Sequence, residues 1–429
     1  MFPKYACRSS VHGMARRQFL GQSLAIGGAA VGGVSRFAQP LFGNHLASEQ
    51  KRVLAFYLDG GLSQFESWDP KTGVPTGGPF RAIPTSVPGI HLSELMPLTA
   101  QQMHHLLILR GVNTNENVHA RGRQMVLTGR RFVPGESHPH LGAVAAKAIA
   151  PEAAPMPGHI RVVAGGGGNR SRDAAYLGAE FSSIVMSEKN PPNHMPADDP
   201  AALKRDLARH NLRRGWDSHL LSRRRSAMTD AYLQSFESAE RLVGQRDVFD
   251  LSSEPANEQE RYGTQALGRQ CLLARRLLER GATYVQVHHG NYDTHAENFS
   301  FHIEQVGEFD RAFAATIADL HERGMLESTL IIVFSEFGRT PNINHRFGRD
   351  HWGTSWSVVV GGCGVQQGGV FGKTNDHGTE VAEGEVDHGN LFHTFLQAVG
   401  VDSTDTFNID GRDVQIADPA SEPIREVLA

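Results

Sequence analysis

The stretch Arg52-Val53-Leu54-Ala55-Phe56-Tyr57-Leu58-Asp59-Gly60-Gly61 decides the fold class. Its apolar part has the length of a strand rather than of a helix, and Asp-Gly-Gly ends it in a glycine turn. The same unit recurs downstream. A helix over 260–280 leads into a strand over 283–287, and a helix over 299–323 leads into a strand over 329–334. A further strand-like run covers 357–360, and 390–399 reads as a helix. Upstream, 105–109 and 160–163 are short apolar runs, with helical patterns over 118–127 and 141–149. Strands alternating with helices of this length imply an α/β fold, with a mostly parallel central sheet and helices on both faces. Ligands of such sheets gather at the carboxyl ends of the strands. Asp59, the string from His288 to His295, and Glu336 all fall at such ends.

With 429 residues the chain is long enough for a large core around one sheet. A net charge of −4 gives no electrostatic reason to expect nucleic acid as a partner. Many of the 22 histidines crowd around short Asp- and Gly-containing motifs, which invites a metal hypothesis. Cys7, Cys271 and Cys363 sit in no CxxC or Cys/His pattern, so the last two read as buried, inert thiols.

At the N-terminus, Arg16-Arg17-Gln18-Phe19-Leu20 precedes a Gly/Ala-rich apolar run that is too short to span a membrane. Small residues around Ala38 and Ala47 complete the pattern of a cleaved export signal of the twin-arginine kind. Residues 1–47 are therefore read as a signal peptide and 48–429 as one domain. Within it, 191–255 is charged and helical in pattern, a helical insertion or lid. Its Arg223 to Arg225 could touch an anionic substrate, but read more readily as a solvated helix face.

Three motifs carry chemistry. In His288-His289-Gly290-Asn291-Tyr292-Asp293-Thr294-His295, a carboxylate and an imidazole two residues apart can both reach one cation; the bland alternative is a polar loop. Glu336 in Ser335-Glu336-Phe337-Gly338-Arg339-Thr340 can bind metal from a strand end. Arg339, and Arg349 in Gly348-Arg349-Asp350-His351-Trp352, can clamp an oxyanion; the alternative is an ion-pair network with Glu336 and Asp350. His119 and Arg123 lie four apart and share a helix face near its N-terminus, an anion pocket or else a solvated basic turn.

In this order the motifs resemble the bacterial family called domain of unknown function 1501, usually placed in the alkaline phosphatase/sulfatase superfamily. The likeness runs from about Arg52 to Val401 and rests on YDTH, SEFGRTP and GRDHW. It implies an alkaline phosphatase-like fold, with Asp293, His295 and His351 around one metal ion and Asp59 with Glu336 around a second. Two positions depart from the superfamily pattern. Phe337 stands where a metal-binding histidine is expected. His119 stands where the nucleophilic Cys, Ser or Thr is expected, which excludes formylglycine chemistry there. His119 is then a replacement metal ligand, a nucleophile, or a general acid or base beside a metal-activated water. We favour the ligand, with metal-bound water attacking and Ser63 as fallback nucleophile.

The expected function is hydrolysis of a phosphate or sulfate ester, on a small molecule or a glycan, with Arg123 offsetting developing charge. The rival is a non-catalytic metal-containing protein that binds sulfated or phosphorylated glycans. One or two divalent ions are expected, Zn or Mn favoured by mixed imidazole and carboxylate ligands. The expected location is periplasmic or secreted, with no stable membrane anchor and with the twin-arginine translocase as a transient partner. Replacing Arg16 and Arg17 together by lysine should strand the precursor in the cytoplasm. Fractionation showing unchanged export of that variant would remove the twin-arginine reading.

Overall fold

Every side chain of the first strand, β1 (Arg52–Leu58), is buried. The cause is its place in the middle of a nine-stranded sheet covered on both faces. A computed structural model of the protein describes residues 50–151, 153–189, 199–221 and 227–429, so the segment 1–47 and Arg223 to Arg225 lie outside the described residues. After β1 come β2 (Leu106–Val112), α1 (His119–Thr128), α2 (Leu141–Ile149), β3 (His159–Val162), β4 (Gly167–Arg170) and β5 (Ile184–Met186). Next are α3 (Pro200–Leu221), α4 (Ala227–Gly244), α5 (Ala266–Glu279), β6 (Tyr284–His289) and α6 (Asn298–Glu322). The chain continues through β7 (Thr329–Phe334), β8 (Trp356–Gly362), β9 (Gly369–Phe371) and α7 (His388–Ala398).

The strand order is β9-β2-β8-β7-β1-β6-β3-β5-β4. β1 pairs in parallel with β6 and β7, β3 with β6 and β5, and β9 with β2. β8 and β4 run antiparallel to their neighbours. Side chains alternate across β1 with the two-residue period of a strand. Leu54, Phe56 and Leu58 face the core under α5 and α6, where Phe56 meets Phe313 edge-on at 5.1 Å. Val53, Ala55 and Tyr57 face the core under α1, α2 and α7. Pairing register brings Leu58 level with His289 and Tyr57 level with Phe334. The carboxyl ends of the three central strands therefore open onto one place.

The fold class read from the sequence is the one observed. The 260–280 helix is instead two helices, Ala256–Tyr262 and Ala266–Glu279. Gly263 breaks it at φ +92°, where the chain doubles back so closely that a Cβ on Gly268 would sit 2.2 Å from the Gly263 carbonyl oxygen. Glycine suits both positions, one for its backbone freedom and one for its lack of a side chain. The described part of 191–255 consists of α3, α4 and short turns. Cys271 and Cys363 are buried free thiols, and burial pushes Cys271 up to about 12. No helix among the described residues is long and apolar enough to cross a membrane.

Burial also pushes His140 down to about 4, and lowers His159 and His302. These rings stay neutral in the folded chain but titrate near 6.5 once unfolded. The unfolded state therefore takes up more protons as pH falls from about 6.5 towards 4, and stability falls across that window. His140 alone contributes a loss of order 3 kcal/mol at the acid end. Denaturant midpoints should drop as pH falls below about 6.5, and His140→Asn should soften the drop. An acid profile that is identical in the variant would refute this assignment.

Candidate metal centre

Gly60 and Gly61 turn the chain out of β1 at φ +111° and +82°. A Cβ on Gly60 would lie 2.5 Å from the Asp293 amide nitrogen, so the turn packs directly on the loop that follows β6. Four non-glycine residues with positive φ flank the same place: Asn115 before α1, Asn291 and Glu297 around Asp293, and Phe347 before His351. Backbone strain of this kind persists only where surrounding contacts over-determine it.

Three imidazoles converge on Asp293. His119 opens α1, and its Nδ1 lies 2.5 Å from Glu336 Oε1. His295 Nδ1 lies 2.6 Å from Asp350 Oδ1, and His351 Nδ1 lies 2.7 Å from the Asn117 carbonyl. Ionised carboxylates and carbonyls only accept hydrogen bonds, so each Nδ1 carries a proton, and each Nε2 either carries a second proton or, with a cation in place, offers it a lone pair. The three Nε2 atoms point together. His295 Nε2 is 3.0 Å from His351 Nε2, and both are 3.1 Å from Asp293 Oδ1. His119 Nε2 is 3.2 Å from Asp293 Oδ2, an ion-pair distance without hydrogen-bond geometry, so that buried nitrogen has no hydrogen-bond partner. The donor atoms of His119, Asp293 and His351 all lie within 4.8 Å of one another.

Ring nitrogens and carboxylate oxygens held this close need protons or a cation among them. Donors about 2.0 Å from a tetrahedral ion are separated by roughly 3.3 Å, close to the spacings here. The residues present therefore fit a divalent ion. Outer hydrogen bonds from Glu336, Asp350 and the Asn117 carbonyl fix tautomer and ring orientation, as partners of metal-bound histidines do. The Glu336 hydrogen bond raises the affinity of His119 for a proton, whereas burial lowers that of His351. Burial alone would raise the Asp293 carboxyl; Arg339, then His351 and His119, more than offset this and hold it at about 2.

Four sequence-derived roles change. Glu336 is fully buried and accepts from Tyr57 Oη at 2.9 Å, from the Gly60 amide at 3.0 Å and from His119. It orients His119 rather than offering oxygens to an ion. Arg349, assigned to substrate, is fully buried with all five N–H donors taken by Glu66 and the carbonyls of Thr340, Pro341 and Thr76. Arg339 is equally buried and binds the carbonyls of Gly60, Gly61 and Arg349 together with Asp293, at 2.7 Å from its carboxylate. Neither arginine is free to meet a substrate oxyanion. Ser63 is fully buried, which rules it out as a surface nucleophile.

Asp59 and Arg123 pair with each other at 2.5 Å, both partly exposed. Burial would raise Asp59, but His288 and Arg123 hold it at about 2. Sequence reasoning missed Tyr57, Glu66 and Asn298, and gave no separate role to His288, whose Nε2 lies 3.4 Å from Asp59 Oδ2. Glu66 and Asn298 join Arg349 to the Asp293 loop, because Asn298 Nδ2 donates to Glu66 and Thr294 Oγ1 donates to Asn298 Oδ1. The acidic residue in Gln64-Phe65-Glu66-Ser67-Trp68 and the lone buried Asn at a helix start were the available signals.

A sheet with an imidazole-carboxylate cluster at the carboxyl ends of its central strands defines the class: an α/β protein with its site at the strand ends. The chain belongs to the family described as "Protein of unknown function (DUF1501)", whose family model matches residues 50–428. No curated protein matches the sequence. Among solved structures, the chain is similar to the lipoteichoic acid synthase LtaP from Listeria monocytogenes: 8% identity, 90% of this chain and 80% of that one, TM-score 0.40. It is also similar to alkaline phosphatase from the Antarctic bacterium TAB5: 12% identity, 82% and 99% coverage, TM-score 0.36. A third is the PsFucS1 sulfatase from Pseudoalteromonas sp.: 13% identity, 86% and 72% coverage, TM-score 0.35.

Removing the charge of Glu66 would leave the Arg349 guanidinium buried and uncompensated. Glu66→Ala should cost about 3–5 kcal/mol of folding stability. Urea unfolding checks this, and a loss under 1 kcal/mol would show that the pair is dispensable.

Proposed function

We propose that the chain is an exported, metal-dependent hydrolase of phosphate or sulfate esters, carrying its ion on His119, Asp293, His295 and His351. The observation that carries the reading is the convergence of three imidazole Nε2 atoms on one carboxylate. The likeness of the motifs to the alkaline phosphatase/sulfatase superfamily supplies the ester class. Mixed imidazole and carboxylate donors favour Zn or Mn over an all-oxygen Ca site. Such an ion, when bound, supplies Lewis acidity toward an ester oxygen and makes water a nucleophile at neutral pH.

The chain's own residues supply the rest. Glu336 keeps the His119 proton on Nδ1, and Asp350 does the same for His295. Arg339 fixes the Asp293 carboxylate from inside. Arg123, about 45% exposed at its side chain, is the cation that can reach an ester oxyanion beside the cluster and offset charge there. With Ser63 buried and His119 where the superfamily has its nucleophile, water is the attacking group. The segment 1–47 serves as the twin-arginine export signal, and the mature protein, 48–429, acts in the periplasm or outside the cell. A second reading, a non-catalytic binder of sulfated or phosphorylated glycans, is favoured by the absence of a hydroxyl or thiol at position 119.

Protein purified without chelator should contain the ion. Asp293→Ala, His351→Ala and His119→Ala should each lower its content, and His345→Ala should leave it unchanged. Excess metal should partly restore the activity of His119→Ala, and the wild type should hydrolyse p-nitrophenyl phosphate or sulfate. Equal metal content in all four variants would dismiss the ligand set, and metal without turnover on any ester would leave the binding reading in its place.

A further inference from the structure

The family likeness assigns Asp59 and Glu336 to a second ion, yet the geometry gives both carboxylates to cations and donors of the chain itself. Glu336 has no exposed surface, and three donors already occupy it: Tyr57 Oη, the Gly60 amide and His119 Nδ1. Asp59 Oδ1 takes the Arg123 guanidinium at 2.5 Å, and Asp59 Oδ2 has His288 Nε2 at 3.4 Å. Arg123 Nε in turn donates to Tyr57 Oη at 3.2 Å, and Tyr57 donates onward to Glu336. One continuous chain of hydrogen bonds thus runs from Asp59 through Arg123, Tyr57 and Glu336 to His119. A divalent ion on Asp59 would have to approach against a guanidinium a few ångströms away, which like-charge repulsion opposes.

We propose that the site takes one divalent ion, and that the Arg123 guanidinium does the work of a second cation. This rests on the ester-hydrolase reading and deepens it. The ligand class is a tetrahedral oxyanion, phosphate or sulfate, held between the ion on the Asp293 side and Arg123 on the Asp59 side. Asp59 is then a positioning residue that aims Arg123, and Tyr57 transmits that position to Glu336 and His119. The planar guanidinium suits this task because its N–H groups can hold Asp59 and Tyr57 and still face an oxyanion.

The experiment counts ions per chain by mass spectrometry of the full-length purified protein and measures inorganic phosphate binding to the metal-loaded form by calorimetry. Wild type should hold one ion, lost in Asp293→Ala and kept in the isosteric Asp59→Asn. Arg123→Gln should keep the ion but bind phosphate at least tenfold more weakly, the loss of a charge-assisted contact. Arg123→Lys, which keeps the charge without the fork, should fall between. Two ions in wild type with one in Asp59→Asn would overturn the proposal, as would undiminished phosphate binding in Arg123→Gln. A wild type without any ion would remove the metal reading and this inference together. One ion with the expected variants but no ester turnover would uphold this inference while sinking the hydrolase reading.

Discussion

The guanidinium of Arg339 is a full positive charge with no contact with solvent. Burying such a charge costs several kcal/mol unless its surroundings replace the lost hydration. Here the replacement comes from three loops at once: Gly60 and Gly61 after the first strand, Asp293 after β6, and the carbonyl of Arg349 before His351. None of the three can move without leaving a buried N–H unpaired. The geometry of the imidazole cluster follows, because Asp293 is the anion on which all three rings converge and Arg339 holds its carboxylate from inside.

Arg349 repeats the device one layer deeper. Its charge is neutralised by Glu66, and its guanidinium lies 4.4 Å from the Phe65 ring centroid. Gln64 completes the inner scaffold: its side-chain Nε2 donates to the Arg339 carbonyl and its Oε1 accepts from the Arg339 amide. The sequence Gln64-Phe65-Glu66 thus serves as a footing for residues more than 270 positions away. The imidazole cluster is thus set on a charged, dehydrated base.

Much of this was legible in the sequence. Strands such as Arg52–Leu58 and Thr329–Phe334 announce themselves because burial on both faces leaves an unbroken apolar run. The edge strands Gly167–Arg170 and Gly369–Phe371, and Ile184–Met186 one place in from the edge, were not legible; three or four residues, some of them glycine, carry no periodicity. At the site, the residues were findable but their partners were not. An Arg in GRDHW reads equally as a substrate clamp or a buried strut, and only the location of Glu66 separates the two. Likewise Glu336 at a strand end looks like a ligand until Tyr57, whose side chain faces the same side of the sheet, is seen to occupy it. Pairing is a tertiary fact, whereas residue type is a local one.

The central strands end level with one another, yet the side chains gathered there are far apart along the chain: His119 meets Glu336 across 217 positions, and His351 meets Asp293 across 58. Closing loops of such lengths in an unfolded chain costs entropy that no pair of side chains could repay. The geometry of the cluster therefore depends on the alignment of β1, β6 and β7. A cation captured there would act as a crosslink among segments distant in sequence. It would bind the aligned strands, and would stabilise the folded protein by an amount that grows with the logarithm of its free concentration over its dissociation constant.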